Sequence, residues 1–478
     1  MSEYRPVIGL EVHVQLKTRT KLFCGNLIQF GAEPNTNVCP VCLGLPGALP
    51  VLNEQAVELA VRSGLGLDCR VHETSLFARK NYFYPDLPKG YQITQFDRPF
   101  ATDGFLEVAD AQHAGRVRIR RIHMEEDAGK LLHDRLPGLT AIDLNRAGVP
   151  LVEIVTEPDL TSPAQARAFL AALKQILQYL DVSDCDMEKG SLRVDANVSV
   201  RKRASDPLGT KTEVKNMNSF ANVERALEFE LKRQIGLLAS GHSIRQETLL
   251  WDAERGEARP MRSKEESHDY RYFPEPDLPP LVFPRERIER IRAALPELPR
   301  LRAERLVRQF GIPQYDAEVL TAERALADYF EEVAMAVRDG KTASNWVMGD
   351  VLAQTRQRAL TITALPVRPG SLAELIRLVR NGRISNPIAR QVFVTMIDSK
   401  REPAEIVETE GLAQVRDDAQ LEQWVAEILT GFPSEAERFR AGDQKLLGFL
   451  MGQLMKKSRG KADPKLASEI LARRLSGT

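Results

Sequence analysis

Residues 7 to 16 have a clean period of two. Ile8, Leu10, Val12, Val14 and Leu16 fall on one side of an extended chain, and Gly9, Glu11, His13 and Gln15 fall on the other. A helix would scatter those five aliphatic side chains around its circumference, so this period commits the segment to a strand with one buried face. Residues 191 to 201 repeat the pattern, with Leu192, Val194, Ala196, Val198 and Val200 set against Arg193, Asp195, Asn197 and Ser199. One sheet is therefore expected, apolar beneath its helices and polar on an open face.

The covering helices are legible too. Ser162-Pro163 supplies an N-cap and a first-turn proline, and Ala166, Phe169, Leu170, Leu173, Ile176, Leu177 and Leu180 form the stripe that follows. A second helix is expected from about Asn222 to Ser240, stopping at Gly241. The fold class is thus α+β, with a mixed or antiparallel sheet covered by helices. At 478 residues the chain exceeds one core, and three domains are expected. The proline-rich segment 269–284 closes the first, residues 1–285. Residues 286–405 carry aliphatic side chains at three- and four-residue spacing, as an all-α helical domain does. Residues 406–478 form a small helical tail domain, because the charge reverses there: ten acids and four bases over 401–440 give way to three acids and eight bases over 441–478. That basic end suits a phosphate backbone.

Overall charge is balanced, Lys+Arg 66 against Asp+Glu 66, so any nucleic-acid contact must be local. No basic region followed by an apolar core opens the chain, and no apolar run reaches membrane-spanning length, so a cytoplasmic location without membrane attachment is expected.

The polar face carries the chemistry. Glu11 and His13 emerge together, roughly 7 Å apart at two strand rises. The stretch from His123 to Asp159 adds the consecutive acids Glu125, Glu126 and Asp127, and Glu153 interrupts the apolar run from Val149 to Val155. Lys130 and Arg146 stand close enough to balance these charges. A set of carboxylates and one imidazole beside apolar runs suits a hard cation such as Mg²⁺ that shares a substrate phosphate; taken singly, each acid also suits a solvated turn. In the segment 80–97, Lys80 and Lys89 stand among Tyr82, Phe83, Tyr84 and Tyr91, a pattern for a phosphate with a base ring or for a hairpin packed on the core. Residues 211–220 offer Glu213, Lys215, Asn216 and Asn218.

Three cysteines, Cys24, Cys39 and Cys42, make an incomplete zinc site: Asn26 stands where a C-x-C pair would provide the fourth thiolate, so structural Zn²⁺ is doubtful. Cys69 ends a predicted helix. Gly340-Lys341-Thr342 resembles the end of a phosphate-binding loop but has Met335 in place of the first glycine. If ATP binds, it binds in another way. No serine- or cysteine-centred hydrolase set is readable, so the chain offers no means of making ammonia by hydrolysis.

The segments VIGLEVHVQL, FGAEPNTNVCPVCLGLPGALPV, RKNYFYPDLPKGYQI, HMEEDAGK, DLNRAGVPLVEIVTEPD, SLRVDANVSV, KNMNSF and DYRYFPEPDLPPL, in this order, resemble the B subunit of the bacterial tRNA-dependent amidotransferases. The resemblance spans essentially the whole chain. It implies a cradle-shaped catalytic domain, then a helical domain and a tRNA-binding tail. The implied activity converts Glu-tRNA(Gln) to Gln-tRNA(Gln), Asp-tRNA(Asn) to Asn-tRNA(Asn), or both. In the family, ATP activates the misacylated side chain as an acyl phosphate, and ammonia arrives by a channel from the amidase subunit of the same complex, while a third, small subunit braces the pair. Carried over by motif, His13, Glu126 and Glu153 are the expected Mg²⁺ ligands, with Glu11 and Glu125 next. Lys80 and Lys89 would meet phosphate, and Asp195 and Glu213 would hold metal or ammonia-channel positions. The alternative from a different class is a noncatalytic tRNA-binding scaffold, which would have no use for His13 beside Glu126 and Glu153.

Overall fold

The structure, a computed structural model, describes residues 4–109, 114–136, 138–261, 270–414, 417–458 and 460–476. Residues Met1–Leu298 form one compact unit. Among the described residues its main sheet has nine strands: β1 (Arg5–Gln15), β2 (Arg70–Val71), β3 (Ala101–Ala109), β4 (Ala114–Glu126), β5 (Pro150–Thr156), β6 (Leu192–Arg201), β7 (Thr212–Lys215), β8 (Thr248–Asp252) and β9 (Glu257–Pro260). Across the sheet the order is β9-β8-β7-β6-β1-β5-β4-β3-β2. Every pairing is antiparallel except β7 with β8, so the sheet is mixed. The alternating strand is central: β1 lies between β5 and β6, and its aliphatic side chains from Ile8 to Val14 are buried.

Helices α1 (Glu54–Gly66), α2 (Pro163–Tyr179) and α3 (Phe220–Ala239) share the apolar core with this sheet. Each begins where its capping chemistry dictates. Asn53, Ser162 and Ser219 accept hydrogen bonds from first-turn N–H groups of α1, α2 and α3. Phe169, Leu170, Leu173 and Leu177 of α2 are fully buried, each contributing roughly 1.5–3 kcal/mol of apolar burial. Helix α3 starts two residues before the expected Asn222, because Ser219 is the residue that caps it. It stops at Gly241, whose φ of +78° favours glycine.

The boundary expected at residue 285 moves. Phe273–Pro274 pairs with Ala78–Arg79, and Leu281–Val282 pairs with Thr74–Ser75, so the described part of the proline-rich segment is stitched into the first unit. Arg79 adds two bonds to the Glu275 carboxylate, at 2.8 and 2.9 Å. Helix α4 (Arg285–Ala293) follows, and Ile288 and Ile291 pack into the same core. Prolines that cannot continue a helix still serve as edge strands. This segment is therefore part of the first unit, and the division falls between Leu298 and Pro299.

The second unit, Pro299–Thr478, is helical throughout its described residues. It contains two apolar clusters: one runs from Ala303 to Val407, the other from Leu421 to Leu475. Ile406 and Val407 belong to the first of these, although the tail was expected to open at 406. Gly340-Lys341-Thr342 opens a helix there. Asp339 caps that helix, and Lys341 Nζ lies 2.8 Å from Asp316. A carboxylate thus occupies the helix start where a phosphate would need to approach. Among the described residues no helix is long and apolar enough to cross a membrane.

Candidate active site on the polar face of the sheet

Strand pairing gathers what the sequence scatters. His13 on β1 stands opposite Glu153 on β5, and Glu153 stands opposite His123 on β4. Glu125 lies two residues beyond His123 and so emerges on the same side. The four side chains meet: His13 Nε2 is 3.3 Å from Glu125 and 3.4 Å from Glu153, and His123 Nε2 is 3.0 Å from Glu153 and 3.6 Å from Glu125. One ligand atom each from His13, Glu125 and Glu153 falls within 4.8 Å of the others. That compactness of two carboxylates and an imidazole, which offers a lone pair once its proton is lost, suits a divalent cation.

The electrostatics follow from the contacts. Burial opposes the His13 imidazolium, but hydrogen bonds to Glu125 and Glu153 outweigh it and lift the group to about 10. Burial likewise opposes charge on His123, and the Glu153 carboxylate and the bond to Glu125 raise it nonetheless. Glu125 is driven upward by burial and downward by both imidazoles, which prevail and hold it at about 2. Glu153 is held well below the usual carboxylate range by the same balance.

Around this centre, Arg193 on β6 lies 2.9 Å from Asp127, and Arg146 lies 3.4 Å from it. Arg146 thus balances charge as expected, while Arg193 was unforeseen. Tyr272 stacks on Phe96 with ring centres 4.0 Å apart, and Tyr270 packs edge-on between Tyr272 and Tyr82. Burial first, and then the charges of Tyr270, Glu153 and Glu125, push the Tyr272 phenol up to about 12. The aromatic wall therefore borders the carboxylates.

The chain matches the family model described as the GatB/GatE catalytic domain over residues 6–289, and the GatB domain model over residues 328–475. It is 54% identical to the B subunit of the aspartyl/glutamyl-tRNA(Asn/Gln) amidotransferase of Chlorobium chlorochromatii over 475 residues, covering 99% of this chain and 100% of that one. It is 54% identical over 475 residues to the same-named protein of Moorella thermoacetica, with the same coverage. With that of Persephonella marina it shares 51% over 470 residues, 98% of this chain and 99% of the relative. The chain belongs to the amidotransferase B-subunit family.

In this amidotransferase subunit the expected site residues separate into groups. His13, Glu125 and Glu153 come together, and His123 joins them. Glu126 does not: its neighbour Glu125 takes the inner face, so Glu126 turns away, accepting from Lys89 Nζ and from the Ile93 N–H at 2.9 Å. Lys89 is thereby committed to a buried carboxylate. Lys80 lies 4.7 Å from the Tyr270 ring centre and 5.8 Å from that of Tyr82.

Glu11 shares the His13 face but accepts from Asn197 Nδ2 at 3.0 Å, and burial raises its carboxyl. It borders a cleft of about 320 Å³ that Asn197, Lys211, Arg120 and Thr156 also line. Lys215 bridges Asp195 at 2.9 Å and Glu213 at 3.1 Å, while Thr248 donates to Glu213. Glu11, Asp195 and Glu213 thus extend the polar face away from the His13, Glu125 and Glu153 group. His123 was missed at the sequence level, although its two-residue spacing from Glu125 repeats that of Glu11 and His13.

The sulfurs of Cys24, Cys39 and Cys42 also lie within 4.8 Å of one another. The Cys24 thiol and the Cys39 N–H donate to Cys42 and, against burial, hold it down at about 4; the same bond drives Cys24 upward. Asn26 Nδ2 donates to Cys42 Sγ at 3.6 Å. An amide donor thus stands beside the sulfur where a structural zinc would need a fourth lone pair. The set does not fit a four-thiolate zinc, and Cys69, buried against Gly104, is not part of it.

Proposed function

We propose that this chain forms the carboxylate-activating site of an ATP-dependent tRNA amidotransferase, converting Glu-tRNA(Gln), Asp-tRNA(Asn) or both to the amidated forms. The observation that carries this reading is the candidate ligand group His13, Glu125 and Glu153, set with His123 on the polar face of a sheet in a chain of this family. In the proposed reaction an oxygen of the misacylated side chain attacks the γ-phosphorus of ATP and ADP leaves. Ammonia then attacks the acyl carbon of the resulting acyl phosphate, and phosphate departs. Bound Mg²⁺ would neutralise phosphate charge as the phosphoryl group transfers.

The chain's own residues have distinct tasks. His13, Glu125 and Glu153 would hold the ion, with His123 orienting Glu153. Lys80, which lies over the Tyr270 ring and has no carboxylate partner among the described residues, would meet phosphate, whereas Lys89 is held by Glu126. Asp195, Lys215 and Glu213 form a polar path along the face, suited to guiding ammonia from the amidase subunit, with the small third subunit completing the complex. Lys456, Lys461 and Lys465 in the tail are offered for the tRNA backbone. Lys457, Arg473 and Arg474 are instead paired with Glu427 and Glu422.

The reconstituted complex should form Gln-tRNA or Asn-tRNA from glutamine and ATP, lose that activity on chelation, and regain it with Mg²⁺ or Mn²⁺, both of which suit carboxylate-rich sites. Amide formation that survives exhaustive chelation would refute the metal role, and none from either misacylated tRNA would refute the reading. A second prediction follows from His13, whose value of about 10 lies above the ordinary 6.5. In the metal-free chain the proton on His13 stabilises the fold fully below pH 6.5, and that stabilisation is lost as pH rises through 10. A cation needs the neutral ring, so Mn²⁺ binding should release protons and tighten across this window. Calorimetry in buffers of different ionisation enthalpy measures the release; heats independent of buffer would contradict it.

A further inference from the structure

The cysteine loop touches the buried ion pair beside the site. Leu43, Gly44 and Leu45 donate their N–H groups to Cys39, Val41 and Pro40, at 3.0, 3.1 and 2.9 Å, so Gly44 moves with the Cys39–Cys42 turn. Gly44 has a φ of +67°; a Cβ there would lie 3.1 Å from the Cα of Lys89 and would collide with its Cγ. The two backbones are thus in contact. Lys89 in turn is tied to Glu126, the neighbour of the ligand Glu125. On the other side, Cys42 packs within 3.6 Å of the Cβ position of Gly148, whose N–H donates to the Asp127 carbonyl at 2.9 Å. The loop therefore braces the end of β4 from two directions. Asn26 leaves its three thiols without the fourth sulfur that would lock them in a metal.

We propose that Cys39 and Cys42 form a reversible disulfide that displaces Lys89 from Glu126, so that the thiol state of this loop governs the site. Their sulfurs are 3.8 Å apart, and a disulfide closes that gap to about 2.05 Å, a shift that Gly44 must transmit or absorb. The oxidant is a hydroperoxide. The Cys39 sulfur attacks a peroxide oxygen, the O–O bond breaks and water leaves; the Cys42 thiolate then attacks the Cys39 sulfur, the S–O bond breaks and a second water leaves. Two thiols give up two electrons and two protons in all, and hydrogen peroxide is reduced to two waters. The effect on activity rests on the proposed transamidation; the effect on Lys89 does not.

The full chain in its complex is treated with hydrogen peroxide, and thiols are mapped by alkylation and mass spectrometry. In parallel, Lys89 is followed by its rate of acylation. A Cys39–Cys42 disulfide is expected, with faster acylation of Lys89 and about a ten- to hundredfold loss of amide formation, as for a misplaced active-site group, all reversed by a dithiol. Cys39→Ser should show no peroxide response relative to its own untreated state. Asn26→Cys loaded with zinc should keep its thiols and its slow Lys89 acylation. A disulfide using Cys24, a Cys39–Cys42 disulfide with unchanged Lys89 acylation, or one zinc per wild-type chain shielding all three thiols would each overturn the proposal. Absence of amide formation in both thiol states would count against the transamidase reading alone, since thiol and Lys89 mapping still decide this one.

Discussion

Glu153→Gln is expected to lower amide formation by about 10²- to 10³-fold, the scale on which removing one electrostatic group from a preorganised site acts, while glutamine hydrolysis by the partner continues. Glu153 faces both imidazoles, at 3.4 Å from His13 and 3.0 Å from His123, and its side chain is 12% exposed. Its strand neighbours Val152 and Ile154 are fully buried on the opposite face, so β5 holds it in place. Glutamine keeps the shape and removes the charge. The variant should therefore fold, bind tRNA and fail at the chemical step. Single-turnover amide formation in the reconstituted complex checks this, with Glu157→Gln, an exposed-edge partner of Arg120, as the comparison. Activity within threefold of wild type would remove Glu153 from the ligand set.

Lys89→Met should destabilise the first unit by about 3–5 kcal/mol, the cost of leaving a buried charge without its partner. The Lys89 and Glu126 side chains are 9% and 4% exposed, and Glu126 keeps only the Ile93 N–H when the ammonium is gone. Glu126→Gln removes the stranded charge from the other side, so the double variant Lys89→Met with Glu126→Gln should cost well below the sum of the singles. Urea unfolding of the three variants measures the coupling. Additive costs would show that the pair is not a unit. A buried pair is weak as a stabiliser compared with apolar residues of the same shape, and its presence beside the candidate ligand group fits positioning better than stability.

Much of the architecture was legible because its causes are local. Side-chain parity in 7–16 and 191–201, the Ser162 cap and the stripe of α2 each depend on residues within one or two turns, and the strands and helix lie where those signals put them. The end of the first unit was less legible. The prolines argue for a boundary just after them, but α4, which follows, packs Ile288 and Ile291 into the core of the first unit. The candidate site was legible as a set of residue types. Which of the consecutive acids faces His13 was not, because Glu125 and Glu126 are chemically alike and only the phase of β4 against β5 separates them.

The amino-acid sequence by itself determined the α+β class, the polar and apolar faces of β1 and β6, and the supply of carboxylates, imidazole and thiols. Tertiary structure alone decided that His13, His123, Glu125 and Glu153 form one group, that Glu126 and Lys89 form another, and that the cysteine loop leans on the second. The reason is physical. Alternation along a strand follows from its own backbone, whereas register between strands is set by hydrogen bonds and packing between segments separated in the chain, where a slip of one residue would exchange the faces.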